Sequence, residues 1–357
     1  MKLFTCQFCQ QLLYFENTQC VRCGHWLGYL PKIGTVSALE PTGDGSWTAK
    51  AEPGTTYRYC ANSAHGACNW LVESDDESNF CLACRHNRTI PDLSIPENLA
   101  AWQKLEIAKH RLIYTLLKLH LPLITKIEDA EKGLAFDFLA DQQTPDDSGP
   151  KVLTGHDNGL ITINIAEADD AERERRRKAL HEPYRTLLGH FRHEVGHYYW
   201  DRLVRDAGKL DAFRALFGDE RADYGEALQR HYANGAPADW QNNYVSSYAT
   251  MHPWEDFAET WAHYLHIVDT LETAKAFRIK VDPEPLPGDE LAAEVDFDAH
   301  EVDSIQPIID AWLPLSFAVN SLNRSMGLPD LYPFVLSPKV IEKLGYMHDL
   351  VHGSQVR

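Results

Sequence analysis

His193-Glu194-Val195-Gly196-His197 sets two imidazoles four residues apart, with a carboxylate beside the first. On a helix, residues four apart lie one turn above each other, so His193 and His197 can share one cation. Glu194 lies one step round, where it can take a proton from a water at the ion as a general base does. The third ligand must come from elsewhere. His252-Pro-Trp-Glu255-Asp-Phe-Ala-Glu259-Thr-Trp-Ala-His reads as a second helix with Pro253 at its start and two carboxylates on one face. Phe257, Ala258, Trp261, Ala262 and Leu265 surround that pair with apolar neighbours, which argues against two solvated acids. Glu255 is therefore assigned to the metal. Glu259 is assigned to orienting His193 or His197, because a ligating imidazole needs a partner for its other nitrogen.

All eight cysteines fall between Cys6 and Cys84. Disulfides would be expected to spread into the larger remainder of the chain, so metal ligation explains the clustering better. Cys6-Gln-Phe-Cys9 and Cys20-Val-Arg-Cys23 are two CxxC turns, the thiolate set of a structural zinc. Cys60, Cys68, Cys81 and Cys84 form a looser second set with an exposed acidic insert, Glu73 to Ser78, and His65 is a candidate replacement for Cys60 or Cys68. Redox dithiols and an iron–sulfur centre are the competing uses of such pairs. Three Zn2+ ions are expected, one catalytic and two structural.

An HExxH stretch followed by ExxxE resembles the gluzincin class of zinc peptidases. The metzincin extension is absent, because Trp200 and Leu203 stand where glycine and histidine would be needed. Tyr248, seven residues before Glu255, is similar to the lethal-factor branch, and that resemblance implies a tyrosine supporting the transition state. Tyr244, Tyr224 and His252 are alternatives for this role. Asp256 stands where that branch has glycine. Taken whole, the ribbon cysteines, HEVGHYYWDRL and HPWEDFAETWAHYLH resemble a bacterial family of zinc-binding metallopeptidases with an amino-terminal zinc ribbon. The resemblance implies His193, His197 and Glu255 on zinc, Glu194 as base, and a peptide or protein substrate.

Lysine plus arginine number 34 against 52 acids, so 34 − 52 = −18, a charge that disfavours nucleic acid as a partner. Residues 1–90 add no basic footprint, and Trp26, Tyr29, Trp47, Tyr57 and Tyr59 are assigned to packing around small metal cores. No apolar run approaches the roughly 18 residues of a membrane span, and the amino terminus turns polar at once. The expected compartment is the cytoplasm, without a membrane.

These sites require an α+β fold: residues 1–90 as a double-zinc, ribbon-like module and 91–357 as a mainly helical, gluzincin-like metallopeptidase domain with a small β-sheet. Lys32 to Tyr57 is expected to link the two knuckles or form their hairpins. Apolar spacing predicts helices over Ala100–Leu121, Ile305–Met326 and Lys339–Val351, and a charged helix over Ala168–His181. Gly133–Leu139 and Gly159–Ile165 read as strands, the second a candidate cleft edge for an extended substrate. The proline-rich acidic stretch from Val281 is a candidate loop beside the cleft. His348 and His352 are read as part of a surface helix rather than as ligands. The competing functional reading is a non-catalytic scaffold whose zinc is architectural and whose ribbon recruits a protein partner.

Overall fold

The computed structural model describes residues 2–141, 152–179, 186–284 and 291–353 and falls into two units, Met1–Arg173 and Glu174–Arg357. In the first, the Cys6–Cys9 turn joins β1 (Phe4–Thr5) to β2 (Leu12–Leu13) as a short hairpin. Strands β3 (Trp26–Leu30), β4 (Thr35–Pro41), β5 (Trp47–Ala49), β6 (Glu52–Tyr59) and β7 (Leu71–Glu73) then form an antiparallel meander in sequence order. Lys32–Tyr57, expected as a linker or knuckle hairpins, is thus most of a five-stranded sheet. It has its own core of Leu30, Leu39, Ala49, Tyr57 and Leu71, and apolar burial is what makes it a sheet rather than a tether. Tyr29 N donates to Asn69 O at 2.9 Å, drawing β3 back towards β7, and Gly28 permits the approach because a Cβ there would lie 2.6 Å from the Leu71 side chain.

The unit continues through β8 (Asn87–Thr89), α1 (Pro96–Lys118), β9 (Ala135–Leu139), β10 (Gly155–Asp157) and β11 (Leu160–Asn164). Helix α1, which follows the boundary expected at 90/91, packs on the cysteine module. By contacts they fold together: Tyr114 packs on Phe15 with ring centroids 5.4 Å apart, Arg111 pairs with Glu16 at 2.6 Å, and β8 runs parallel to β9. The expected cleft-edge strand is corrected. β11 lies inside the order β10-β11-β9-β8, parallel to β9 on one side and hairpinned to β10 on the other, so it has no open edge for a substrate. Asn158 and Gly159, both at positive φ, make that hairpin turn. The charged segment forms α2 (Asp170–Ala179); residues 180–185, and the side chains beyond 175, lie outside the described residues.

The second unit is helical: α3 (Leu187–Trp200), α4 (Leu210–Phe217), α5 (Tyr224–Asn234), α6 (Pro253–Phe277), α7 (Ile305–Ser325) and α8 (Pro338–Gly353). Of the proline-rich acidic stretch, 285–290 lie outside the described residues. The last helix is not a surface helix as expected. It buries Val340, Leu344, Met347 and Val351, and His348 Nδ1 lies 3.1 Å from the Tyr264 hydroxyl in that interior.

Helix α6 is the axis on which α3, α4, α7 and α8 pack. His252 caps its start: Nδ1 accepts from Trp254 N at 3.1 Å while Nε2 donates to Ala222 O at 3.0 Å. Pro253 follows at the first turn, where no amide hydrogen is needed. Helix α3 approaches α6 at Gly196, where a Cβ would lie 3.1 Å from Ala258 Cα and 3.2 Å from Trp261 Cδ1. Tyr199 stacks on Trp261 one turn on, ring centroids 5.0 Å apart. A glycine that costs a helix about 1 kcal/mol in propensity therefore sets the spacing of the two helices. Gly196→Val should lower the thermal unfolding midpoint by the equivalent of about 2 kcal/mol through overpacking, and Gly196→Ala by less. A valine variant as stable as the parent would show that α3 and α6 are not held at this distance.

Candidate metal centre

The α3–α6 contact carries the chemical residues inward. His193 and His197, one turn apart on α3, face each other with Nε2 atoms 3.2 Å apart. Glu255, in the first turn of α6, brings Oε2 to 2.9 Å from His193 Nε2 and Oε1 to 3.5 Å from His197 Nε2. All three side chains are buried. Glu255 Oε2 is buried, with His193 Nε2 as its near neighbour. Ligand atoms held about 2.0–2.1 Å from a tetrahedral zinc stand about 3.3 Å from one another, close to the separations found here. The donor set fits the ion.

His193 Nδ1 donates to Glu259 Oε1 at 2.7 Å, which leaves Nε2 as the lone pair turned to Glu255 and His197. Ser246 Oγ donates to Glu259 Oε2 at 2.5 Å and accepts from Ala249 N at 3.1 Å, so the orienting carboxylate is itself fixed from both sides. Burial opposes ionisation of Glu255, but the imidazoles of His197 and His193 outweigh it and hold its carboxyl well below the usual range. Burial likewise opposes ionisation of Glu259, and His193 again prevails. A carboxylate sunk between two imidazoles demands a positive charge among them, as a proton or a metal.

The expected supporting residues separate clearly. Tyr224, on α5, donates from its hydroxyl to Glu255 Oε1 at 3.0 Å, and it shares a hydrogen bond with Tyr248. The Tyr248 ring centroid is 6.0 Å from that of His193. Tyr244 is directed elsewhere, covering Lys343 Nζ at 4.4 Å, and His252 is occupied as the cap of α6. Asp256 turns away from the histidines to Lys343 Nζ at 2.6 Å, which explains how a carboxylate is tolerated beside Glu255. Trp254 lies against His197 with ring centroids 3.8 Å apart, a contact the sequence reading missed although the residue stands next to Glu255. Glu194 is buried on α3 beside His193, and its charge reaches Tyr224.

Both cysteine sets come together as groups able to hold a metal, Cys6, Cys9, Cys20 and Cys23 in one and Cys60, Cys68, Cys81 and Cys84 in the other. Sulfur separations of 3.7 Å for Cys6–Cys23, 3.6 Å for Cys9–Cys20 and 3.7 Å for Cys68–Cys81 far exceed a disulfide bond. They match the roughly 3.8 Å edge of a tetrahedron with zinc–sulfur bonds of about 2.3 Å. Trp70 N donates to Cys68 Sγ and Cys81 N to Cys60 Sγ, each at 3.3 Å, as suits thiolate ligands. His65 is not in the second set; its ring lies by Trp102. His110 of α1, overlooked in the sequence because it lies 26 residues beyond Cys84, reaches the set instead.

The chain belongs to the family described as "putative zinc-binding metallo-peptidase", which it matches over residues 98–350; residues 3–95 match a zinc-ribbon domain family. It is similar to proteins of Mycobacterium bovis and Mycobacterium tuberculosis, each described as uncharacterized and each 43% identical over 352 residues, or 98% of this chain and 95% of theirs. No solved structure matches. Both family descriptions and the cysteine clusters support zinc binding. The peptidase match begins within α1, a helix whose contacts join it to the first unit.

Next to His193, Arg192 ties α3 to α6 through a buried ion pair with Asp269 and a contact with His266. His300 Nε2 meets the other oxygen of Asp269 at 3.2 Å. Burial opposes a charge on His300, but hydrogen bonds to Asp269 and Asp298 outweigh it and push its pKa up to about 9. An unfolded histidine titrates near 6.5, so the folded state binds this proton more tightly. The resulting stability is complete below pH about 6.5 and is lost as pH rises through about 9. The thermal midpoint should therefore fall between about pH 7 and about pH 9, and His300→Gln should flatten that fall. An equally steep alkaline arm in the variant would remove His300 from the linkage.

Proposed function

We propose that the second unit is a zinc-dependent peptidase of gluzincin type, with His193, His197 and Glu255 as metal ligands. The observation that carries this reading is the convergence of three buried donors at tetrahedral spacing beside Glu194, a carboxylate that a purely structural site would not need. Zinc in that position supplies Lewis acidity, polarising a peptide carbonyl and bringing the pKa of a water towards neutrality. Glu194 accepts the proton of the attacking water and passes it to the leaving amine. Glu259 holds His193 in the tautomer that offers Nε2 outward, and Ser246 keeps Glu259 in place.

Tyr248 is the hydroxyl donor for the carbonyl oxygen as it gains charge, while the proton of Tyr224 goes to Glu255. Burial, reinforced by the charge of Glu255, pushes both phenols well above their usual range, so each keeps its proton at any working pH. Tyr224 orders Tyr248 through their shared hydrogen bond. The substrate is a peptide or protein, and the ribbon is available to a protein partner. The two zinc ions of the cysteine sets are structural.

Hydrolysis of an unbiased peptide library by the zinc-loaded chain and by Glu194→Gln is the test. Cleavage should fall about 10²–10⁴-fold in the variant while its zinc content stays unchanged. Equal cleavage by both would remove Glu194 as the base. Metal analysis should return three zinc ions per chain, and two after His193→Ala. Tyr248→Phe should lower kcat by about 10²–10³-fold with little change in KM, the signature of a donor used in the transition state. A loss confined to KM would assign Tyr248 to substrate binding instead.

A further inference from the structure

The second cysteine set is surrounded by more donors than a tetrahedral ion uses. His110 Nε2 lies 3.6 Å from Cys84 Sγ, the separation expected of a nitrogen and a sulfur bound to the same zinc, about 3.6 Å. It also lies 3.2 Å from Cys68 Sγ, closer than two ligands of one ion stand. His110 and Cys68 therefore contend for a single vertex. The imidazole is already aimed: Nδ1 donates to Glu106 O at 2.6 Å, which turns Nε2 to the sulfurs, and the ring packs beside Trp70 at 5.2 Å between centroids. Glu106 is engaged through one oxygen, Oε1, held by Lys109 Nζ at 2.8 Å and Asn87 Nδ2 at 2.9 Å, while Oε2 lies 3.6 Å from Cys84 Sγ.

Cys68 is the thiol positioned to give way. Cys60, Cys81 and Cys84 are buried, whereas Cys68 is half-buried and opens, with His110, onto a groove of about 390 Å³ bordered by Trp26, Tyr59 and Ile107. We propose that His110 is a reserve ligand of the second zinc site, so that the ion passes from four thiolates to three thiolates and an imidazole when Cys68 is withdrawn. The ion then remains bound, Cys68 becomes a free thiol facing the groove, and α1 becomes directly ligated to the cysteine module. This holds whether or not the second unit hydrolyses peptides.

Alkylation of the zinc-loaded full chain with iodoacetamide, followed by native mass measurement and peptide mapping, tests it without disturbing the fold beforehand. In the wild type, chains alkylated at Cys68 should keep all their zinc; in His110→Gln, each chain alkylated at Cys68 should lose one ion. Cys68→Ser should likewise retain the full complement and Cys68→Ser with His110→Gln should fall short by one, the metals of the other two sites reporting that each variant has folded. Loss of one zinc from wild-type chains alkylated at Cys68, as in His110→Gln, would overturn the proposal. So would loss of one ion from folded Cys68→Ser alone.

Discussion

A carboxylate and two imidazole nitrogens, all removed from water, lie within bonding reach of one point, and such a group cannot stand without a cation among its members. Burying a lone carboxylate costs several kcal/mol unless a charge compensates it, and Glu255 lies against the edges of His193 and His197, which can provide one. The rest of the second unit can be understood as what keeps that meeting point in register. Gly196 lets α3 come down on α6, the Tyr199–Trp261 stack fills the next layer, and Arg192 fastens the same two helices through Asp269. His252 and Pro253 start α6 at the residue that puts Glu255 in its first turn.

Orientation is layered in the same way. Glu259 sets the ring of His193, Ser246 sets Glu259, and the amide of Ala249 sets Ser246, so the segment that carries Tyr248 is joined to His193 by hydrogen bonds rather than by packing alone. Lys343 draws the Asp256 carboxylate and the Asn243 carbonyl to itself from α8. That pairing gives the last helix a share in placing α6, although its own His348 serves the interior. The first unit uses thiolates to the same end, replacing a large apolar core with two small metal-type centres and an aromatic layer that Tyr114 of α1 completes.

Much of the candidate site was legible because its signals are local. Two histidines at helical spacing, and two glutamates one turn apart among apolar residues, state their geometry in the sequence itself. Helices such as α1, α6 and α7 were readable for the same reason. What was not legible depends on partners far away in the chain. Nothing near Tyr224 announces that it will meet Glu255, and nothing near His110 announces the cysteines. The meander from Trp26 to Glu73 carries weak alternation because its β3 and β7 ends approach each other, so burial is shared across both faces. The role of β11 was misread since a strand sequence reveals its own pattern but not how many neighbours it will have.

An anomalous-difference map at the zinc edge, from crystals of the metal-loaded chain, tests the central claim most directly. The expected result is a peak about 2.0–2.2 Å from His193 Nε2, His197 Nε2 and a Glu255 oxygen, with its remaining position open to water. A peak absent from that point, or one closed by a fourth protein atom such as the Tyr224 oxygen, would contradict the account.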